Sequence, residues 1–188
     1  MTLRRGFRAD AERMAQRIRQ ELGIRPFDTL DLRALASRRE VDIVAADTLV
    51  PRDRLEELER LQAFAFSACT FDIDGAKVIV ISPLHSPARQ TSDIAHELAH
   101  LLLEHELTEI REIAGITFRT CRTDQEEEAT TLGGTLLLPR PLLVRAAANG
   151  MTLDQIAKSC GVTLDMARFR FNTTGVHKQL SARRGTSA

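Results

Sequence analysis

Two histidines and one glutamate within five residues are the side chains of this sequence best suited to do chemistry. Residues 96–100 read HELAH. Positions i and i+4 of a helix lie on one face, so the imidazoles of His96 and His100 can reach a single metal ion. Glu97 is rotated by about 100° from His96. Its carboxylate is therefore expected beside a water molecule on that ion, as a general base rather than a ligand.

The pattern HExxH on a helix is a known signature of zinc metallopeptidases. The flanking residues are mostly apolar, which predicts a buried helix: Ile94, Ala95, Leu98, Ala99, Leu101, Leu102 and Leu103. Two histidines and a glutamate without partners are costly in such a place. The alternative is a pair of core histidines bonded to backbone groups. We expect a zinc site.

A catalytic zinc site needs a third protein ligand and leaves one position to water. Glu126, Glu127 and Glu128 follow the motif at the start of a predicted helix and point in directions about 100° apart. Glu128 opens the apolar stretch that marks the inward face, namely Ala129, Leu132 and Leu136. We therefore predict Glu128 as the third ligand, with Glu127 as the alternative. Glu126 is interpreted as a solvated acid favoured by the helix dipole.

Two other side chains are less favoured as ligands. His105 is rotated by about 140° from His100 if the helix continues. Cys121 precedes the glutamate helix. The three cysteines, Cys69, Cys121 and Cys160, are far apart in the sequence and do not occur in closely spaced pairs. This predicts no disulfide framework and fits a reducing compartment.

Hydrophobic periodicity and capping residues predict the elements that hold these side chains. Helices are expected at 8–22, 29–38, 86–103, 123–138, 140–148, 152–160 and 163–171, and a strand at 41–45. Segment 54–62 fits a helix or a loop. Asp74-Gly75 predicts a hairpin between strands at 65–73 and 77–82. Thr123 and Glu126 are interpreted as a capping box.

The sequence resembles the ImmA/IrrE family of zinc metallopeptidases. The resemblance rests on the helix DIAHELAHLL at 93–102, on EEA at 127–129, on LLLP at 136–139, and on the segment 156–171. It implies His96, His100 and Glu128 as zinc ligands and Glu97 as the base. Gly133-Gly134 departs from the family pattern, and we interpret the pair as allowing close approach to the zinc helix.

The implied fold is α+β, with a zincin-like core in which a small antiparallel sheet packs on the HExxH helix and the glutamate helix. Further helices lie at both ends. Residues 1–150 are predicted to form the metallopeptidase domain, 151–176 a small helix-turn-helix-like pair packed on it, and 181–188 a disordered tail.

The implied function is a zinc-dependent endopeptidase that cleaves a cytoplasmic helix-turn-helix repressor and switches on stress-response or mobile-element genes. The alternative is an antirepressor that sequesters its partner, with a structural zinc. Direct DNA binding through Arg168 and Arg170 is possible but not favoured. The balanced net charge of zero argues against a nucleic-acid platform. Without an apolar leader or span, we expect a cytoplasmic protein.

Overall fold

A computed structural model describes residues 3–63, 65–105, 109–113, 116–120 and 122–176, with backbone only for 109–113 and 116–120. Within these ranges the chain forms eight α-helices and five strands. In chain order they are α1 (Phe7–Glu21), α2 (Leu32–Arg38), β1 (Val41–Ala45), α3 (Arg52–Leu61), β2 (Ala68–Ile73), β3 (Ala76–Ile81), α4 (Pro87–Leu102), β4 (Glu109–Ile113), β5 (Ile116–Thr120), α5 (Thr123–Leu137), α6 (Arg140–Ala148), α7 (Leu153–Cys160) and α8 (Leu164–Thr174).

The predicted α+β class is confirmed, and the predicted hairpin is β2–β3. Asp74 and Gly75 have φ angles of 52° and 89°, the positive values that a two-residue hairpin turn requires. The prediction of a wholly antiparallel sheet is wrong, because β1 pairs in parallel with β3. The strand order is β1-β3-β2. β3 lies between the other two strands and pairs antiparallel with β2, so β1 and β3 run in one direction and β2 runs in the opposite one.

Helices α4 and α5 pack against each other at the centre of the molecule, and a glycine makes their contact close. A Cβ atom at Gly133 would lie 2.9 Å from the carbonyl oxygen of Ala95 and 3.1 Å from the amide nitrogen of His96. The backbone of α4 therefore leaves no room for a side chain at this position. This contact agrees with the interpretation for Gly133, whereas Gly134 faces the side chains of Arg170 and Met166 in α8.

Replacing Gly133 with Ala is expected to lower the free energy of unfolding by about 1–3 kcal/mol, the usual cost of overpacking. The sign is informative, because the same exchange in an unobstructed helix stabilises by about 1 kcal/mol. Urea denaturation of the metal-free protein measures it, with Thr130→Ala on the exposed face of α5 as the control. A stabilised Gly133→Ala variant would show that the two helices are not in close contact.

Two buried arginines bind the carbonyl groups at the end of α5. Arg19 donates to the Leu136 carbonyl at 2.7 Å, and Arg170 donates to the Leu138 carbonyl at 3.1 Å and to Glu12 at 2.7 Å. The last carbonyls of a helix have no partner within it, so these cations satisfy them. Burial lowers the pKa of Arg19 to about 10, although the charges of Glu12 and Asp28 oppose the shift.

The helix pair α7–α8 adds to the same hydrophobic core through Ile156, Ala157, Val162 and Ala167. Arg170 is buried in this core and bonded to Leu138 and Glu12. Of the two arginines considered for DNA contact, only Arg168 is therefore exposed, and it pairs with Asp165.

Residues 177–188, with the predicted tail, lie outside the described ranges. Within the described residues, no helix combines the length and apolarity needed to cross a membrane.

Candidate metal centre

Helix α4 carries the HExxH residues and is fixed in place at both ends. Ser86 accepts a hydrogen bond from the amide of Arg89 at the N-terminus, and Pro87 is the first helical residue. At the other end Glu104 adopts a left-handed φ of 55°. The amide of His105 then donates to the carbonyl of His100 at 3.0 Å, which is the closing bond of a Schellman motif. The left-handed backbone at Glu104 therefore turns the polypeptide back toward His100.

The imidazoles of His96 and His100 converge with a carboxylate from α5, and that carboxylate belongs to Glu126. The Nε2 atoms of the two histidines are 3.0 Å apart. One oxygen of Glu126 lies 3.1 Å from His96 Nε2, and the other lies 3.5 Å from His100 Nε2. Among the described residues, these three form the one group of donors that could hold a metal ion.

The spacing of these donors fits zinc. Ligands at about 2.0–2.1 Å from a tetrahedral ion are about 3.3 Å from one another, since the tetrahedral angle fixes that ratio. The separations of 3.0, 3.1 and 3.5 Å bracket this value. Two imidazoles and one carboxylate are also a donor set that catalytic zinc sites use, with the fourth position left to water. The Glu126 side chain is 44% exposed, so the donor group is open on one side.

The charges around the donors favour a cation. Burial acts to lower the pKa of His96, but the hydrogen bond to Glu126 and the charges of Glu97, Glu126 and Asp93 raise it above its ordinary value. Burial acts to raise the pKa of the Glu126 carboxyl, yet the imidazoles of His100 and His96 beside it hold that pKa well below its usual range. Several carboxylates therefore act on the imidazoles, and a divalent ion would balance their charge.

The sequence-predicted ligand Glu128 makes a different contact. One of its oxygens lies 3.3 Å from His105 Nε2, and the other lies 3.7 Å from the exposed guanidinium of Arg4. The donor group around His96 and His100 contains Glu126 and does not include Glu127 or Glu128. Glu126, interpreted from the sequence as a solvated acid, is the residue that the structure brings to the histidines.

A one-residue shift of the helix start explains why sequence reasoning passed over Glu126. The predicted capping box assigned Glu126 to bind back to Thr123, but Arg122 is the N-cap and Gln125 accepts from its amide at 3.2 Å. Glu126 is free of that role. Gly133 could have indicated Glu126. It lies against the backbone of α4, and it is seven residues after Glu126, which places both residues on the same face of α5.

Glu97 lies outside the donor group and is hydrogen-bonded to the sheet. Thr70 of β2 donates a hydrogen bond to its carboxylate at 2.6 Å. His96 and Glu97 line a cleft of about 320 Å³ whose other walls include Gly133 of α5 and Met166 of α8. This position, beside the donors and facing a cleft, suits a group that handles protons of a bound molecule. Thr70 gave no sequence signal, since it lies 27 residues from Glu97.

The resemblance to metallopeptidases implies peptide hydrolysis, and we expect Thr70→Val to lower its rate by roughly tenfold, because a hydrogen bond to a charged group is worth about 1.5–3 kcal/mol and only part of it orients Glu97. Zinc content should stay at the parent level. Thr70→Ser keeps the hydroxyl and should restore most of the rate, which separates the hydrogen bond from the shape of the side chain. Equal rates for Thr70→Val and the parent would show that Thr70 does not position Glu97.

A buried aspartate supports the same helix one turn before His96. Asp93 accepts from Arg89 Nε at 2.9 Å and contacts His85 Nδ1 at 3.2 Å. His85 is buried, with only 5% of its side chain exposed. These contacts tie the loop before α4 to the face of the helix that precedes the metal donors.

Two of the three cysteines lie in the described residues, and both are free. These are Cys69 and Cys160. Burial, together with the charge of Glu97, raises the pKa of the Cys69 thiol to about 11. Neither of the two belongs to the donor group. Cys121 lies outside the described residues.

Comparison with known proteins supports the resemblance noted in the sequence. The chain is similar in fold to a Mycobacterium tuberculosis transcriptional regulator, with a TM-score of 0.58 at 17% identity. The match covers 87% of this chain and 46% of the regulator, so this chain spans less than half the length of that protein. No curated protein matches significantly. Residues 59–172, more than half of the chain, match the family model of the M78 peptidases, the IrrE N-terminal-like domain. The chain belongs to this family.

Proposed function

We propose that this protein is a zinc-dependent endopeptidase whose metal is held by His96, His100 and Glu126. The observation that carries the proposal is the convergence of these three donors at separations of 3.0–3.5 Å, with Glu97 adjacent in a cleft. Membership in a peptidase family supports the same reading. Glu128, the ligand predicted from the sequence, stays the competing assignment and is tested below.

When bound, zinc activates a water molecule for attack and polarises the peptide carbonyl. Glu97 accepts the proton of the attacking water and then delivers it to the amine of the leaving peptide. Thr70 holds the carboxylate of Glu97 during both transfers. Gly133, whose missing side chain lets α5 approach α4, keeps the Glu126 helix against the histidines.

The substrate in this proposal is an extended segment of a protein. In the part of the chain that the structure describes, β2 is an edge strand of the three-stranded sheet and carries Thr70, so an unpaired backbone edge runs near Glu97. An extended peptide can pair with such an edge through main-chain hydrogen bonds. Phe71 and Ile73 on the outer part of β2 are exposed and can contact its side chains.

We further propose that the protein cleaved is a helix-turn-helix repressor in the cytoplasm, so that cleavage switches on stress-response or mobile-element genes. Two facts support a regulatory setting: the family resemblance, and the similarity in fold to a protein described as a transcriptional regulator. That second fact also supports a competing function. A non-catalytic regulator would use the same fold to bind its partner, with the metal in a structural role.

The test is a cleavage assay with zinc-loaded protein. The substrates are the repressor encoded nearest to its gene and a peptide library made from digested cellular proteins. Mass spectrometry should find fragments that carry new N-termini and disappear when a chelator is added. Zinc-loaded protein that binds the repressor tightly but cuts neither the repressor nor any library peptide would favour the binding function.

A further inference from the structure

A chain of hydrogen bonds leads from His100 away from the metal donors and ends at a carboxylate. His100 presents Nε2 to the donor group, and its other ring nitrogen, Nδ1, lies 3.0 Å from Nδ1 of His105. Nε2 of His105 then lies 3.3 Å from the Glu128 carboxylate. Only 6% of the His105 side chain is exposed, so these contacts are largely shielded from water.

The turn after α4 is what brings His105 to this place. A continuing helix would carry residue 105 away from the face of His100. Instead the left-handed backbone at Glu104 ends the helix, and the His105 amide binds the His100 carbonyl at 3.0 Å. Both the backbone and the ring of His105 are therefore bonded to the same residue.

The order of donors and acceptors in this series of hydrogen bonds sets the tautomers of the His100 and His105 rings. A carboxylate only accepts hydrogen bonds, so Glu128 requires a proton on Nε2 of His105. A neutral imidazole protonated at Nε2 has an acceptor at Nδ1. His100 must then donate from its own Nδ1, which leaves its Nε2 with a free lone pair. A metal ion between His96 and His100 would bind that lone pair, whereas in the metal-free protein the Glu126 carboxylate, 3.5 Å from Nε2, competes for the same proton.

We propose that His105 and Glu128 form a positioning pair that holds the His100 ring in the tautomer and orientation needed to bind zinc through Nε2. Metal-binding histidines commonly donate their other ring nitrogen to a carboxylate or carbonyl, and such partners tune metal affinity. Here a second histidine stands between the ligand and the carboxylate. The effect on zinc rests on the proposed function, whereas the effect on the tautomer concerns the metal-free protein.

The pair also assigns different roles to two acids of one helix turn. Residues two apart on a helix point about 200° apart. Glu126 reaches the Nε2 side of His100, and Glu128 reaches its Nδ1 side through His105. The acidic run at the start of α5 thus contacts both nitrogens of one imidazole.

The first measurement is the tautomer of His100 by ¹⁵N NMR of the metal-free protein. The parent and Glu127→Ala should show a proton mainly on Nδ1 of His100. In Glu128→Ala and His105→Ala this preference should be lost, and the proton should move toward Nε2, where the Glu126 carboxylate lies 3.5 Å away. An unchanged His100 tautomer in both variants would overturn the proposal, and this readout does not depend on zinc.

The second measurement is zinc affinity by competition with a chromophoric chelator, with circular dichroism as the check on folding. Glu128→Ala and His105→Ala should each bind zinc about 10–100-fold more weakly than the parent. The double variant should lose little more than either single variant, because both changes break one chain. Glu127→Ala should match the parent. Parent-like affinity in folded Glu128→Ala and His105→Ala would overturn the effect on zinc.

Glu128→Gln separates a positioning carboxylate from a ligand. Its amide oxygen can still accept from His105 Nε2, so it should bind zinc more tightly than Glu128→Ala does. If Glu128→Gln loses zinc as fully as Glu128→Ala, while Glu126→Gln retains it, Glu128 is itself a ligand and the positioning role is wrong. A parent protein that binds no zinc would instead contradict the proposed function, and the NMR result would still decide the inference.

Discussion

Replacing Glu97 with Gln is expected to reduce peptide hydrolysis by about 10²–10⁴-fold, the usual loss when a positioned general base is removed. The physical reason is that Gln keeps the shape of the side chain but cannot take a proton from water. Glu97 lies outside the donor group and is held by Thr70, so zinc content and thermal stability should stay near those of the parent. Fragment formation, followed by mass spectrometry at fixed zinc loading, measures the loss.

The same variant separates the two functions. An antirepressor needs only its binding surface, so Glu97→Gln would relieve repression in cells as well as the parent does. A peptidase would lose that activity together with the fragments. Full relief of repression by Glu97→Gln would therefore contradict the enzymatic account and favour sequestration.

Glu126→Gln is expected to weaken zinc binding by more than about 100-fold, which exceeds the range of about 10–100-fold typical of residues that only support a ligand. A neutral amide supplies a weaker oxygen donor and removes the negative charge that faces both imidazoles. Chelator competition gives the affinity, and metal analysis of the purified variant gives the content.

The matched control for Glu126→Gln is Glu127→Gln, the adjacent acid on the same helix. It removes the same charge from the same end of α5 but lies outside the donor group. Its zinc affinity should stay within a few-fold of the parent. If Glu127→Gln or Glu128→Gln loses the metal and Glu126→Gln keeps it, the third ligand is misassigned.

Local signals in the sequence were enough to predict most elements of the fold. Ser86-Pro87 marked the start of α4, Asp74-Gly75 marked the hairpin, and the predicted bounds of β1 and α6 agree with the structure. Each of these features depends on a few neighbouring residues. The spacing of His96 and His100 likewise needs only one helix turn to bring their Nε2 atoms together.

Features that depend on pairing between distant segments were not predictable in the same way. The parallel pairing of β1 with β3 follows from which strand lies in the middle, and no local residue encodes that. The β4–β5 hairpin was not expected either. Thr70 reaches Glu97 from another element, and it has no mark in the sequence that separates it from other strand threonines.

The structure brings Glu126 to the two histidines, whereas the sequence favours Glu128 as the third ligand. The directions of the three glutamates differ by about 100° per residue, and the choice depends on which face of α5 is inward. Helix α5 is buried all round from Thr131 to Leu137, so the apolar residues after Glu128 do not mark a single inward face.

The capping-box pattern also predicts Thr123 as the N-cap of α5, whereas Arg122 is the N-cap and Thr123 is the first helical residue. His105 was placed by assuming a continuing helix, but Glu104 ends it without the glycine that usually signals such a turn.

The most direct test of the zinc site is a crystal structure of the zinc-loaded protein with anomalous diffraction measured on both sides of the zinc absorption edge. The account predicts one zinc peak, about 2.0–2.1 Å from Nε2 of His96 and of His100 and about 2.0–2.2 Å from an oxygen of Glu126. Glu128 should remain hydrogen-bonded to His105 and outside the ligands. A zinc peak bound by Glu128 in place of Glu126, or no peak between the two histidines, would contradict it.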